Sequence, residues 1–253
     1  MLITAYIDES GTHNSGVTVL FVVAGNAEQW ANYESETKTL FKRTGISVYH
    51  AKELKDSDGD FRAWKVRQKG KFIDDFADII NRTLELSFSV VLRDDEYEEY
   101  YAKGLQRLHS VKNTRYGICF RAAVSTMLKA AQEWKTNTWP DGERLIDFIA
   151  EDGHVNQEST LALYSSIKTH VDEDIRKMLG TLSFKSKRDC LPIAAADHGA
   201  YNVWRLEKGH SKTIAVDWPL KGEASYRGNN YRVAVEKDSL LLLREHMTQS
   251  KAR

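Results

Sequence analysis

Proline is scarce in this chain, with three in 253 residues (Pro140, Pro192 and Pro219), and no serine- or glycine-rich stretch interrupts the apolar pattern. Without a linker signal, a chain of this length reads as one domain with a large core. Cysteine is scarcer still. Cys119 and Cys190 are the only two and lack metal-ligand spacing, which argues against a disulfide framework or a zinc site and fits a reducing cytoplasm. No apolar run approaches the roughly 20 residues that span a bilayer, so no membrane partner is expected. The N-terminus lacks a basic segment followed by an apolar stretch, and a secretory signal is not expected either. Net charge is absent as well: 36 Lys and Arg balance 36 Asp and Glu. That balance argues against charge-driven coating of DNA or a membrane, while leaving room for an acidic pocket with a local basic rim. Phosphate-cradling glycine loops, dinucleotide fingerprints, nucleophile elbows, internal repeats and low-complexity tracts are all missing.

What is present is an alternation of strands and helices. Residues 2–8 and 17–24 read as two strands joined by a short polar turn, the second nearly all apolar and β-branched, as in a strand covered on both faces. Residues 27–43 have helical spacing, 46–50 reads as a brief strand, and 55–60 as a polar loop. A helix follows with Phe72, Phe76, Ile79 and Ile80 on one side. Leu84, Leu86, Phe88, Val90 and Leu92 share one parity, which marks a strand. Helices are expected over 94–103, 115–134 and 157–179, strands at 145–150 and 182–185, and an alanine-rich helix over 191–206. Residues 212–218 and 231–236 alternate, and 240–243 reads as helical. A hairpin followed by strands alternating with helices indicates an α/β domain with a mixed sheet.

Two strands end on acids followed by glycine, at Asp8-Glu9-Ser10-Gly11 and Glu151-Asp152-Gly153. If the strands are neighbours, both carboxylates reach one rim, where like charges repel unless a cation, donors or solvent compensates. Each segment also reads as an ordinary polar turn. Asp197 lies in the apolar stretch Leu191–Tyr201, where a charge needs a partner or a metal; Arg205 or Lys208 would serve as an ion-pair partner. Three carboxylates from two strand ends and a helix suit hard divalent cations. A pair of such ions roughly 3.5–4 Å apart activates a water and stabilises the leaving oxygen of a phosphodiester.

Tyr6-Ile7-Asp8-Glu9-Ser10-Gly11, Val23-Ala24-Gly25, Tyr49-His50-Ala51-Lys52-Glu53-Leu54, Phe148-Ile149-Ala150-Glu151-Asp152-Gly153 and Pro192–Tyr201 together resemble the domain-of-unknown-function family 3800, which is similar to the ribonuclease-H-like superfamily. The match covers residues 2–207. It implies a ribonuclease-H-like mixed sheet flanked by helices over 1–207, whose metal-binding acids stand on the first and fourth strands and on a late helix. On that reading Asp8, Glu151 and Asp197 are metal ligands, with Glu9 and Asp152 as neighbouring acids of the metal set. Ile193-Ala194 departs from the Leu-Gln that members often carry, removing an amide that could support the site or touch substrate. Residues 208–253 fall outside the resemblance and are expected to form a C-terminal extension, a hairpin plus helix, on the same domain.

Supporting candidates are His50, as a general acid/base or phosphate contact, and Lys52, Lys185 and Lys187 as substrate-phosphate contacts. Each also reads as ordinary surface or structure. Glu53 is a further possible ligand, and His13 and His154 lie just beyond the acidic strand ends. Cations interleaved with Phe61 and Trp64 over 61–71 offer a backbone-binding face on which a base could stack, or simply a solvated helix face. Trp134, Trp139, Trp204 and Trp218 are assigned to the core or its margin. The expected activity is metal-dependent phosphodiester hydrolysis with Mg²⁺ or Mn²⁺, a cytoplasmic nuclease acting on nucleic acid. Two alternatives stand beside it: a non-catalytic module binding nucleic acid or protein, and a phosphoesterase acting on a small nucleotide. The sequence leaves the oligomeric state open.

Overall fold

The apolar opening run extends as β1 (Leu2–Ser10) and returns antiparallel as β2 (Val17–Gly25), all of whose residues are buried. The computed structural model describes residues 1–11, 15–103, 114–133, 142–153, 157–209, 229–235 and 237–241. β3 (Leu86–Arg93) pairs antiparallel with β2. On the other side of β1, β4 (Leu145–Glu151) runs parallel to it, and β5 (Leu179–Lys185) runs parallel to β4. β6 (Asn229–Ala234) pairs parallel with β3, giving the order β5-β4-β1-β2-β3-β6. The short β1–β2 turn forces an antiparallel pair, whereas β3, which runs the same way as β1, is joined to β4 through helices, so β4 runs parallel to β1.

The helices are α1 (Ala27–Thr44), α2 (Ala51–Asp56), α3 (Val66–Thr83), α4 (Asp94–Glu96), α5 (Arg115–Glu133), α6 (Gln157–His170), α7 (Glu173–Met178) and α8 (Ile193–Glu207). They cover both faces of the sheet and make two cores. One gathers Tyr6, Phe21, Tyr33, Phe41, Tyr49, Phe72 and Phe76 with the alanines of α8; the other gathers Ile7, Val22, Phe88, Phe120, Phe148 and Tyr164. Strand alternation divides β1 between them: Tyr6 points to the α8 face, and Ile3, Ala5 and Ile7 point to the α5 face. This is the α/β architecture expected from the sequence, a mixed sheet flanked by helices.

α8 packs across β1 and β2, and its small residues set how closely it sits. A Cβ placed on Gly199 would stand 2.3 Å from the Phe21 ring, inside any real contact. α1 is held at its start by a reciprocal cap in which Asn26 and Gln29 each accept the other's backbone N–H. The Trp30 indole N–H, 3.0 Å from the Thr4 carbonyl oxygen, ties that helix to β1.

Several segments depart from expectation for local reasons. Residues 46–50 form no strand; Ile46 and Tyr49 are drawn into the aromatic core, so the segment is anchored by side chains rather than by a ladder. The helix expected over 157–179 is broken at Val171–Asp172, with Asp172 starting α7 and β5 already under way at Leu179. The stretch 94–103 is the brief α4 followed by a π-helical segment, Tyr97–Ala102. β6 covers the alternating tail from 229 onward and residues 237–241 are helical. His13, His154, Trp134, Trp139, Trp218, the 212–218 strand and Leu242-Leu243 lie outside the described residues.

Candidate functional site

The parallel pairing of β1 with β4 brings the first two acids together. Ile7 registers with Ala150, so the next residue on each strand is Asp8 on one and Glu151 on the other. Both share the parity of residues that face α8, Tyr6 in β1 and Ile149 in β4. α8 lies over that face and supplies Asp197 from its first half. The connection between β5 and α8 supplies a fourth group. Ser186 closes that turn, its hydroxyl donating to Asp189 Oδ2 at 2.7 Å and its carbonyl accepting the Cys190 N–H at 3.0 Å. Lys187, inside the turn, points inward.

The Lys187 ammonium stands among the three carboxylates: Nζ is 3.1 Å from Asp8 Oδ2, 2.8 Å from Glu151 Oε2 and 3.3 Å from Asp197 Oδ1. Its side chain is 8 % exposed. Asp8 is 2 % exposed. One of its oxygens accepts the Glu9 N–H at 2.9 Å, while Oδ2 is buried with no hydrogen-bond partner and faces the ammonium alone. Asp197 is oriented from the opposite side, its Oδ2 accepting the Ala51 N–H at the start of α2 at 2.8 Å.

Burial dominates the electrostatics of Asp8 and drives its pKa well up; Lys187 opposes this, and Asp197, Glu151 and Glu9 add to the rise. For Lys187, burial acts to strip the proton, but the charges of Asp197, Asp8 and Glu151 outweigh it and hold the amine protonated far above its usual range. The protonated amine acts as a counter-ion that offsets the repulsion among the acids.

The donor set also suits a hard divalent cation, since all three groups offer carboxylate oxygen and Asp8 keeps one oxygen without a hydrogen bond. Asp8, Glu151 and Asp197 are the residues that would hold it. Among the described residues, however, no group of three acid, histidine or cysteine side chains is arranged to hold a metal ion as it stands. The carboxylates are spread around an ammonium, wider than a metal shell requires.

The other sequence-selected residues are sorted by the same geometry. Glu9 has the parity of Ile7, and its charge acts on Tyr116 of α5, across the sheet from the acid cluster. Asp152 is exposed just past β4, its N–H bonded to the Lys185 carbonyl at 3.0 Å. His50 is half-buried at the start of α2 and lines a cleft of about 350 Å³ with Glu53, Asp60, Glu151, Asp152, Lys187 and Arg188. Lys52 is exposed on α2 and outside that lining. Lys185, exposed at the end of β5, bears on Cys190, where burial raises the thiol pKa and the lysine charge lowers it. Asp197 pairs with neither Arg205 nor Lys208. Trp64 is partly buried and packs at near-right angles to Phe61 and Phe72, 5.1 and 5.5 Å between ring centres, at the margin of the aromatic core. Arg62 and Lys71 in the same basic segment are engaged by Asp58 and Asp75.

One functional neighbour escapes sequence reasoning. His198 follows Asp197 and is fully inside the core, with Tyr49 Oη 2.7 Å from Nδ1 and Asn202 Nδ2 3.0 Å from Nε2. The Asn202 amide donates, so Nε2 accepts and Nδ1 carries the proton toward Tyr49. Burial pulls the imidazole pKa down to about 4, with Asp197 working the other way. A pair of polar residues a long way apart in the chain gives no local signal of this bond.

The consequence for pH is explicit. His198 titrates lower folded than unfolded, so its neutral form supports stability fully above about pH 6.5, and that support is lost as pH falls toward 4. The loss expected from this one group is about 3 kcal/mol. Urea unfolding of the parent and of His198→Gln at pH 7.5 and 4.5 measures it; an equal loss in both proteins removes His198 as the cause.

No family model matches the chain, and no curated protein matches it. Among solved structures it is similar to the ribonuclease H2 from Pyrococcus horikoshii OT3, with a TM-score of 0.39 and 15% identity, over 89% of this chain and 82% of that one.

Proposed function

We propose that the protein is a metal-dependent phosphodiester hydrolase, a nuclease acting on DNA or RNA, with Asp8, Glu151 and Asp197 as the residues that hold Mg²⁺ or Mn²⁺, and that it belongs with domain-of-unknown-function family 3800. The observation that carries this reading is the convergence of three carboxylates, from the first and fourth strands and a late helix, around one buried ammonium beside an open cleft. When bound there, a divalent ion supplies positive charge to a phosphodiester and lowers the pKa of water. Around it, the chain's own residues position and neutralise. Asp197 is fixed by the α2 N-terminus, His50 stands at the cleft wall as a proton carrier or a hydrogen-bond donor to phosphate, and Arg188 offers a cation at the same wall. Asp152 acts as a flanking acid at the cleft, Glu9 lies on the opposite face of the sheet, and Lys52 and Lys185 are surface contacts for a polymer.

The test is cleavage of labelled single-stranded DNA, duplex DNA, RNA and hybrid, with mononucleotides alongside, in Mn²⁺ and in excess chelator. Cleavage that stops with chelator and returns when Mn²⁺ is restored is the expected result; cleavage indifferent to chelator refutes the metal assignment. A second reading is favoured by Lys187, which already compensates the acids and makes the cluster a satisfied ion network. On that reading the protein binds nucleic acid without cutting it, and binding survives both chelator and loss of the carboxylates.

A further inference from the structure

We infer that Lys187 is a resident counter-ion of the carboxylate site, and that a divalent cation enters by displacing its ammonium into the neighbouring cleft. The inference rests on the metal-dependent reading above and adds an exchange step to it. Three features of the site support the exchange.

First, the two cations exclude one another. Nζ is 2.8 to 3.3 Å from one oxygen of each carboxylate. A Mg²⁺ bonded to those same oxygens at roughly 2.0–2.1 Å would lie too close to the nitrogen for both cations to be present. Second, the balance of charge is incomplete. When all three acids are ionised, a single ammonium leaves two negative charges uncompensated, and a divalent ion in its place leaves one. Asp8 is the most buried of the three acids, and Lys187, 3.1 Å from its Oδ2, is the counter-ion it would exchange for the metal. Third, there is somewhere for the lysine to go. Lys187 itself lines the cleft of about 350 Å³, whose walls include Asp60 and Asp152, so the ammonium leaves one acidic environment for another that is open to water. The backbone of the turn is held by Ser186, and the four-carbon stem is flexible enough to carry the head across without moving it.

Exchange makes metal affinity and lysine position two sides of one equilibrium, so removing the lysine charge tightens metal binding. The experiment is Mn²⁺ titration of the full chain by calorimetry, with free Mn²⁺ followed by electron paramagnetic resonance, for the parent, Lys187→Met and Lys187→Arg. Lys187→Met is expected to lower the Mn²⁺ Kd by about tenfold or more, while Lys187→Arg, which keeps the charge, binds no tighter than the parent. Equal Kd values for the parent and Lys187→Met overturn the exchange; if chelator-sensitive cleavage persists in the parent, the metal-dependent reading survives that result. Absence of Mn²⁺ binding to both proteins overturns the exchange and the metal reading together.

A measurement on the parent covers the case in which Lys187→Met fails to fold. Amine acetylation by acetic anhydride, read by peptide mass, is expected to rise several-fold at Lys187 when Mn²⁺ is added, with exposed Lys52 as the unchanged reference. Protection of Lys187 that persists at saturating Mn²⁺ overturns the proposal.

Discussion

Replacing Asp8 by Asn is expected to lower cleavage by at least a hundredfold, since even residues that merely orient metal ligands are worth roughly 10–100-fold. The fold is expected to stand. Asp8 is buried at the end of a central strand, and burial already pushes its carboxyl toward the neutral form. The amide is nearly the same shape, removes a charge that is costly there, and keeps an oxygen to accept the Glu9 N–H. Thermal unfolding of Asp8→Asn should therefore remain cooperative and close to the parent, with the effect confined to activity and Mn²⁺ binding. A variant that cleaves at the parental rate removes Asp8 from the site. A variant that is inactive only because it has unfolded says nothing for the chemistry, so unfolding and cleavage are measured on the same preparation.

The second large effect is structural and lies two residues from Asp197. Gly199→Ala is expected to destabilise the protein by about 1–3 kcal/mol, the range for forcing a methyl into a filled core, and Gly199→Val by more. The added carbon would meet Phe21, a ring buried at the centre of β2, and neither the ring nor the backbone beneath it has room to withdraw. Relief comes from lifting α8 off the sheet. That motion carries Asp197 away from Asp8, Glu151 and Lys187, so the variant should lose Mn²⁺ affinity along with stability. Urea unfolding and Mn²⁺ titration report the two quantities separately. Parental stability in Gly199→Ala would mean that α8 is not seated as described.

The strand ends announced their acids clearly. Asp8 and Glu151 each close an apolar run, and a charge inside the alanine-rich helix pointed to Asp197, so the three residues that meet in space were separately legible from one-dimensional pattern. Directions were harder. Glu9 sits next to Asp8 in the chain, yet strand alternation turns it to the α5 face, a distinction fixed only when β1 is known to continue to Ser10. Lys187 read as a surface cation for phosphate because nothing in Ser186-Lys187-Arg188-Asp189 states which side chain of the turn points inward; the Ser186 hydrogen bonds decide that. The basic segment with Trp64 looked like a binding face because aromatic residues among lysines have the same sequence signature whether the ring is outside or packed on Phe61 and Phe72. Tyr49 and His198 meet only because the loop before α2 passes over α8, a long-range contact with no local trace.

The parallel pairing of β1 with β4 has a consequence in time. β1, β2 and β3 form a meander whose first turn is short, so those strands can associate while the chain is still being made, whereas Ile7 finds Ala150 only after most of the domain exists. At ribosomal rates of about 5–20 residues per second, roughly ten to forty seconds separate the synthesis of Asp8 from that of Asp197. Through that interval the first carboxylate lacks Asp197, and for most of it Glu151 and Lys187 as well. The carboxylate cluster is thus complete only once β4 has zipped against β1 and α8 has come down over both.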